Sequence, residues 1–246
     1  MNNHWLEQPN GARIHATAVV GMQPFAGKAF ARPTVEQAPP VIGANAMIGP
    51  GAIIYAGATI GDDTQVCPQA HIREGVVIGQ RCVIGVGVRI GYDAVIGDDV
   101  QIMDDTHISG GTRIGSGTFV SVHVAMVNDD RPAGYVWKGV TPVTVGKGCV
   151  IGCGAKLRPG VTVGDGATVG MGAVVTRNVP ADATVKGMPA RVDAPVQLPL
   201  TRGTVRLGDG VYYTDGPSVG FFQFAKEDGT AGWDAPNASP VYENWP

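Results

Sequence analysis

Residues 71–102 read HIREGVVIGQRCVIGVGVRIGYDAVIGDDVQI, with an isoleucine at every sixth position. The same six-residue spacing of aliphatic residues extends outward from this stretch in both directions, from Ile42 to Met126, over fifteen consecutive repeats. Four residues after each aliphatic residue stands a small or β-branched residue, such as Ala70 or Val88. Six-residue repeats of this kind predict a parallel β-helix, in which each coil stacks on the next.

The third residue after the aliphatic residue is glycine, asparagine or aspartate in twelve of the first fifteen repeats. These residue types best accept a positive φ, so each repeat is predicted to be a short strand followed by a tight corner. Three repeats make one coil of a triangular prism, and neighbouring coils lie about 4.8 Å apart. A side of about 20 Å leaves room for one layer of aliphatic side chains, so any chemistry must take place on the outside.

One interruption divides the repeat. The spacing lapses after Met126, resumes at Val145 and runs on to Val175, which places an insertion at residues 131–144. We therefore predict a β-helix domain of about seven coils at residues 42–192, with this insertion as a protruding loop.

The two ends of the chain depart from the repeat. Residues 1–41 contain an isolated repeat at Ile14 and Val20 among several prolines, and they are predicted to form an irregular cap with the first strands. In residues 193–246, the alternating segments VRLGDGVYYTDG and VGFFQF predict a hairpin that covers the last coil. A role of this extension in binding the acceptor is the alternative.

Composition favours an all-β protein and argues against several functions. Glycine makes up 37 of the 246 residues, about twice its usual share, whereas charged residues make up 16% and aromatic residues 7%. A net charge of −3 supplies no basic surface for nucleic acid or anionic lipid, and no apolar run reaches the roughly 18 residues of a membrane span. The N-terminal residues lack the features of an export signal, so a cytoplasmic location is expected. The four cysteines form no CxxC pair and are expected to be reduced thiols.

Residues 163–192, VGDGATVGMGAVVTRNVPADATVKGMPARV, and the repeats before them resemble the left-handed β-helix hexapeptide acyltransferases. The resemblance covers residues 42–191 and includes GMPA at residues 187–190, where that family usually has GNPA. It implies a left-handed helix and a homotrimer. It also implies acetyl-CoA or another acyl-CoA as co-substrate, bound in clefts between neighbouring prisms, with no metal in the chemistry.

Residues 126–132, MVNDDRP, are similar to the FTNDxxPR segment of nucleotide-sugar N-acyltransferases, with Met126 and Val127 in place of the usual Phe and Thr. This resemblance implies acyl transfer to the amino group of a nucleotide-linked amino sugar or a similar small amine, with Asn128 as a catalytic or substrate-orienting residue. Four residues of this segment and of the inserted loop are expected to bind the substrate: Asp129, Arg131, Tyr135 and Trp137. For the two aromatic residues, sealing a trimer interface is the alternative.

Acyl transfer to an amine also requires a base, and His123 is the candidate. Among the five histidines it alone occupies a predicted corner. Asp105 precedes it by eighteen residues, or one coil, so its carboxylate is expected about 4.8 Å below the imidazole, where it would orient the ring as part of the catalytic group. Asn128 falls at the next corner, so both residues can reach one substrate atom only if the loop bends or if the site is shared between subunits. The alternative is that His123 fills a corner whose positive φ a histidine tolerates.

Coenzyme A needs cations for its phosphates and open backbone for its pantetheine arm. The expected cofactor-binding residues lie in the C-terminal coils: Gly154, Lys156, Gly172, Ala173, Arg177, Lys186 and Arg191. The alternative for the four cations is that they are ordinary solvated charges on the surface. The alternative for the three small residues is that they are ordinary corner and interior residues of the repeat.

Two other functions stay open. His71 and His107 are thirty-six residues apart, two coils in one column, which resembles part of the ligand set of the γ-type carbonic anhydrases. The position of that family's third histidine is Thr112 here, and a catalytic zinc needs three protein ligands. A non-catalytic scaffold would need only the stack of repeats, and the inserted loop and the corner histidine argue against it.

Overall fold

The computed structural model describes residues 4–24, 35–129, 140–192, 203–207, 210–214 and 223–224. In these ranges the chain forms strands and turns without any helix, and hence none of membrane-spanning length and hydropathy. Residues 1–195 and residues 196–246 form two compact units. The first unit is the left-handed parallel β-helix expected from the repeat and the resemblance.

Three sheets form the sides of the prism, named faces A, B and C, with strands numbered in chain order. Face A consists of β1 (Trp5–Glu7), β2 (Arg13–His15), β5 (Met47–Ile48), β8 (Gln65–Val66), β11 (Val83–Ile84), β14 (Gln101–Ile102), β17 (Phe119–Val120), β20 (Val150–Ile151), β23 (Thr168–Val169), β25 (Thr184–Lys186) and β26 (Arg191–Val192). Face B consists of β3 (Val19–Met22), β6 (Ile53–Tyr55), β9 (His71–Ile72), β12 (Arg89–Ile90), β15 (His107–Ile108), β18 (Ala125–Met126), β21 (Lys156–Leu157) and β24 (Val174–Val175). Face C consists of β4 (Val41–Ile42), β7 (Thr59–Ile60), β10 (Val77–Ile78), β13 (Val95–Ile96), β16 (Arg113–Ile114), β19 (Thr144–Val145) and β22 (Thr162–Val163).

From β2 to β24, consecutive strands lie on consecutive faces, so each coil adds one strand to every face. In the regular part a strand stacks on the strand eighteen residues before it, as Ile78 does on Ile60 and Ile96 does on Ile78. The described strands make about eight coils, one more than predicted, because β2 already pairs with β5 through Ile14 and Ile48.

The interior of the prism is packed with the aliphatic residues of the repeat. Each strand turns one side chain inward and its neighbour outward, so that Ile78 is 1% exposed and Val77 is 42% exposed. Some buried hydroxyl groups are bonded within the wall: Thr64 donates to the carbonyl oxygen of Gly79 at 2.8 Å and accepts from the backbone N–H of Cys82 at 3.0 Å. The buried hydroxyl of Thr112 has no partner among the described residues. The outer faces and the corners are therefore the places where polar side chains can meet a ligand.

The corner positions have the predicted positive φ. Nine non-glycine residues of the described chain adopt it, with φ between 52° and 61°. The chain passes from face A to face B at the A–B corner, which comprises residues 50–51, 68–69, 86–87, 104–105, 122–123, 153–154 and 171–172. It passes from face B to face C at the B–C corner, which comprises residues 56–57, 74–75, 92–93, 110–111, 128–129 and 159–160.

The insertion leaves the helix at the B–C corner, between β18 and β19. Met126 pairs with Leu157, thirty-one residues later instead of eighteen, so thirteen residues are inserted without a change of register. The backbone N–H of Thr141 donates to the carbonyl oxygen of Asn128 at 2.9 Å and closes the base of the loop. The predicted substrate-binding residues Arg131, Tyr135 and Trp137 lie outside the described residues.

Antiparallel strands border both ends of face A. At the N-terminal end β1 pairs antiparallel with β2, and at the other end β26 pairs antiparallel with β25. The second unit contains a three-stranded antiparallel sheet of β27 (Gly203–Leu207), β28 (Gly210–Thr214) and β29 (Gln223–Phe224). In this sheet β28 pairs with both β27 and β29. Residues 219–222, the expected second run of the hairpin, lie outside the described residues, and a capping role of this unit stays a prediction.

Candidate active site

His123 lies at the A–B corner with an exposed side chain and a φ of 57°. Asp105 occupies the same corner one coil below, because the backbone N–H of His123 donates to the carbonyl oxygen of Asp104 at 3.0 Å. The predicted column is therefore present. Within the described chain no hydrogen bond or ion pair joins the side chains of His123 and Asp105, so the expected support of the imidazole by the carboxylate is not formed in this state.

Above His123, each of the next two coils has a glycine at the corner position that His123 occupies, next to Cys153 in one coil and next to the exposed Met171 in the other. The N–H of Gly154 bonds to the carbonyl oxygen of Val122 at 3.0 Å, and the N–H of Gly172 bonds to that of Cys153 at 2.8 Å, which stacks both glycines over the histidine. Apart from its own chain neighbours, a Cβ atom built on either glycine would meet no described atom within 4 Å. The backbone at Gly154 and Gly172 is therefore open next to the imidazole, and an extended ligand chain could lie along it.

Ala173 does not belong to this surface. Its side chain is fully buried in the core. Its N–H bonds to Gly170 and its carbonyl oxygen accepts from Lys156, so neither backbone group is left for a ligand. The expectation that Ala173 contacts the cofactor is therefore wrong, because the residue faces inward, next to the exposed corner at Gly172.

The four predicted cofactor cations are all exposed, but they do not form one cluster. Lys186 and Arg191 are directly paired across β25 and β26 on face A. Lys156 lies on face B, and Arg177 follows the last strand of that face. Of the predicted set, the fold thus brings Lys186 and Arg191 together and leaves the other two apart from them.

Asn128 lies at the B–C corner, where the inserted loop departs. Its amide nitrogen donates to the carbonyl oxygen of Gly110 at 2.8 Å, which fixes the side chain against the coil below. Its amide oxygen has no partner among the described residues. Asp129 follows it, exposed, at the same corner. His123 and Asn128 are separated by the whole width of face B, so a single chain does not bring them to one substrate atom.

Face B itself carries a polar cluster that the sequence analysis did not identify as a site. His71, Arg89 and His107 pair in register on three neighbouring strands and form an outward column over the buried isoleucines of the same strands. In sequence the only signal was the thirty-six-residue spacing of the two histidines. The eighteen-residue spacing that places Arg89 between them is the pattern that could have revealed the cluster.

Tyr55 organises the lower half of this cluster. Its buried ring stacks on that of His71, with 5.2 Å between ring centroids and 30° between planes. The guanidinium carbon of Arg73 lies 5.1 Å from the centroid of the same ring. Arg73 also makes two hydrogen bonds, of 2.7 and 2.9 Å, to the buried carboxylate of Glu74. The hydrogen bonds to Glu74 raise the pKa of Arg73, so this guanidinium is charged and held in place.

Both histidines of the column are biased toward the neutral form. Burial of the ring lowers the pKa of His71, and the charges of Arg73 and Arg89 lower it further, whereas Glu74 acts in the opposite direction. Desolvation also lowers the pKa of His107, together with the charge of Arg89. At neutral pH each ring therefore offers one N–H donor and no charge.

We expect these shifts to make folding stability depend on pH. A histidine whose pKa is lower in the folded than in the unfolded chain binds its proton first when unfolded, so stability falls as pH drops from about 6.5 toward the lowered value. Unfolding by urea at several pH values between 5 and 8 measures this loss. Replacing His71 and His107 together by glutamine should flatten the dependence, and an unchanged slope in the double variant would contradict the prediction.

A metal site on this face has no support among the described residues, where no group of three or more His, Cys, Asp or Glu side chains could hold an ion. Thr112, at the position of the third ligand in the γ-type carbonic anhydrases, is fully buried inside the prism. Its side chain therefore cannot reach an ion placed between His71 and His107 on the outer surface.

A family model described as bacterial transferase hexapeptide (six repeats) matches residues 39–70, 57–92 and 142–177. These segments lie in the β-helix on both sides of the inserted loop. No protein of curated function matches the sequence. The match shows that these segments contain hexapeptide repeats of the kind found in bacterial transferases.

The fold is supported by the first of three similar solved structures, since the TM-scores of the other two are below 0.5. UDP-N-acetylglucosamine acyltransferase from Campylobacter jejuni is 17% identical over 74% of each chain, with a TM-score of 0.56. The Francisella novicida UDP-N-acetylglucosamine acyltransferase is 18% identical over 79% of this chain and 70% of that chain, with a TM-score of 0.45. PerB from Caulobacter crescentus, solved with coenzyme A and GDP-perosamine, is 21% identical over 74% of this chain and 57% of that chain, with a TM-score of 0.24. At these identities the likeness concerns the fold alone.

Proposed function

From the hexapeptide repeats that the chain shares with bacterial transferases, we propose that it is an acyl-CoA-dependent acyltransferase. The acyl group passes to the amino group of a small acceptor, and the acceptor class best supported is a nucleotide-linked amino sugar. That choice rests on the similarity of residues 126–132 to the corresponding segment of the nucleotide-sugar N-acyltransferases.

The observation that carries the proposal is an exposed histidine directly below open backbone. His123 is the single histidine at a positive-φ corner among the described residues, and the two coils above it have glycines, Gly154 and Gly172, at the same corner position. A pantetheine arm lying along these glycines would bring its thioester to the imidazole. The cations Lys186 and Arg191 lie toward the C-terminal end of the helix, where the phosphates of the cofactor would follow.

In the reaction, the amine nitrogen of the acceptor attacks the thioester carbonyl carbon. A C–N bond forms, the C–S bond breaks, and coenzyme A leaves as the thiolate. His123 accepts the proton that the amine loses, and the departing sulfur takes up a proton on release. Holding both substrates against one rigid corner contributes through proximity and orientation.

Asn128 is proposed to position the acceptor through its amide oxygen, since its amide nitrogen is already bonded to Gly110. Because His123 and Asn128 lie at opposite corners of face B, a complete site requires the A–B corner of one subunit beside the B–C corner of another. The proposed assembly is therefore a homotrimer with sites between subunits, and Asp129 and the loop residues after it would contact the acceptor there.

The proposal is tested by incubating the purified protein with acetyl-CoA and panels of nucleotide amino sugars, free amino sugars, amino acids and aminoglycosides. Release of free thiol that depends on an amine acceptor is the expected result, together with a trimer by light scattering. Absence of turnover with every acceptor and with longer acyl-CoA donors would overturn the activity. A monomer would overturn the shared site, and activity that requires stoichiometric zinc would overturn the metal-free mechanism.

A further inference from the structure

A second candidate site lies on face B, between the two corners. We call it the face B recess and define it by Tyr55, His71, Arg73, Arg89, His107 and Ser109. His71, Arg89 and His107 form one outward column. Arg73 and Ser109 belong to the adjacent column, where the residue between them is Gly91. Gly91 contributes no side chain between Arg73 and Ser109, and a Cβ atom there would overlap the backbone of Gly110 in the next coil.

The recess contains polar groups without hydrogen-bond partners among the described residues. Nε2 of His71 is fully buried and has no hydrogen-bond partner among the described residues. The guanidinium of Arg89 makes no ion pair and no hydrogen bond in the same part of the chain. The hydroxyl of Ser109 lies 3.4 Å from Nε2 of His107, a weak contact that a better acceptor would replace. Buried polar atoms are nearly always hydrogen-bonded, so an unpartnered one requires an explanation.

The donors are held in place before any ligand arrives. The ring of Tyr55 fixes His71 by stacking and lies under the guanidinium of Arg73. The carboxylate of Glu74 is bonded twice by Arg73 and is buried, so it does not project into the recess. The charge left in the recess is that of Arg89, flanked by two histidines whose lowered pKa values keep them neutral.

We infer that the face B recess binds a phosphate or diphosphate group. Its polar groups come from three successive coils and span about 9.6 Å along the axis of the β-helix. This span is longer than a single carboxylate and suits the row of oxygen atoms of a phosphate chain. An arginine flanked by neutral donors recognises such oxygens through charge-assisted hydrogen bonds. A metal cation is disfavoured by the positive charge of Arg89 and by the lack of a free carboxylate within the six residues.

Two sources of this group are compatible with the proposed function, the diphosphate of a nucleotide-linked acceptor and the phosphates of coenzyme A. The inference deepens the proposed function by naming what the recess would recognise. Binding itself requires no acyl transfer, so a failure to find turnover and a failure to find phosphate binding are separate results.

The test is a calorimetric titration of the full chain with inorganic pyrophosphate, uridine diphosphate, coenzyme A and acetate. Arg89→Gln should weaken pyrophosphate binding by about tenfold or more, because it removes a charged donor. Arg113→Gln is the matched control, since Arg113 holds the same exposed position on face C and its loss changes the net charge equally. His71→Phe, which keeps a ring beside Tyr55 and removes the nitrogens, should also weaken binding.

A second readout is the imidazole signals in the NMR spectrum of the same protein. Pyrophosphate should shift the signals of His71 and His107, and this shift should disappear in Arg89→Gln but persist in Arg113→Gln. If binding of uridine diphosphate requires Arg89, the recess is assigned to the acceptor. If binding of coenzyme A requires Arg89, the recess is assigned to the acyl donor. Equal binding of pyrophosphate by Arg89→Gln and wild type, unmoved histidine signals, or acetate binding as tightly as pyrophosphate would each refute the inference.

Discussion

Replacing His123 by alanine should lower turnover by about 10² to 10⁴ while affinity for coenzyme A stays near that of the wild type. The loss follows from removing the group that takes the proton of the attacking amine. Single-turnover and steady-state measurements with the acceptor found by the thiol-release screen give the two quantities separately.

Alanine at this corner also strains the backbone, because a left-handed conformation costs an L-residue about 1–2 kcal/mol. His123→Asn is therefore the matched variant, since asparagine accepts positive φ and cannot act as the base. Both variants should lose turnover alike. If His123→Asn keeps wild-type turnover, the histidine only fills the corner. Asp105→Asn should have a much smaller effect, because the two side chains are not hydrogen-bonded in the structure.

The second large effect concerns stability. Ile78→Ala should lower the free energy of unfolding by about 2–5 kcal/mol, because it removes buried methyl groups from a core that cannot close around the cavity. Ile78 is 1% exposed and stacks between Ile60 and Ile96 in the middle of face C. Urea unfolding followed by circular dichroism measures the change.

Val77→Ala is the control for this prediction, because Val77 lies on the same strand and faces outward. It should cost less than about 1 kcal/mol, the range of strand propensity alone. Equal losses in the two variants would show that the inward and outward positions of the repeat are not distinguished, contrary to the register of the sheets.

The fold could be predicted because a single rule governs both interior and backbone. The six-residue spacing places one aliphatic side chain inward per strand. The same spacing locates the corner positions, where φ is positive even for an unfavourable residue type, as the φ of 55° at Arg81 shows. The insertion was also predictable, since it interrupts a register that then continues with Met126 over Leu157. The first coil, which contains Ile14, was harder to recognise because a long segment outside the repeat separates Ile14 from Ile48, with which it pairs.

The candidate site was predicted less completely, for physical reasons. Sequence spacing determines that Asp105 lies beneath His123, but it does not determine the side-chain rotations that would join them. Ala173 was misplaced because a small residue next to a corner glycine can belong to either the core or the surface. The face B recess escaped notice because its members come from two adjacent columns, with Tyr55, Arg73 and Ser109 in one and His71, Arg89 and His107 in the other. The contacts of the Tyr55 ring with His71 and Arg73 join the two columns, and the spacing within one column does not reveal contacts between columns.

From β6 onward the register of face B is constant, so a residue's number gives its position on the surface. Between β6 and the inserted loop, adding eighteen to a residue number gives the residue in the same column one coil higher, and across the loop the step is thirty-one. Counted this way, His107 is followed by Ala125 and then by Lys156, so one small residue separates the recess from the next cation above it. Replacing Ala125 by a longer polar residue would make the row of polar side chains continuous from His107 to Lys156. Lengthening the inserted loop would not change which residues are paired on face B.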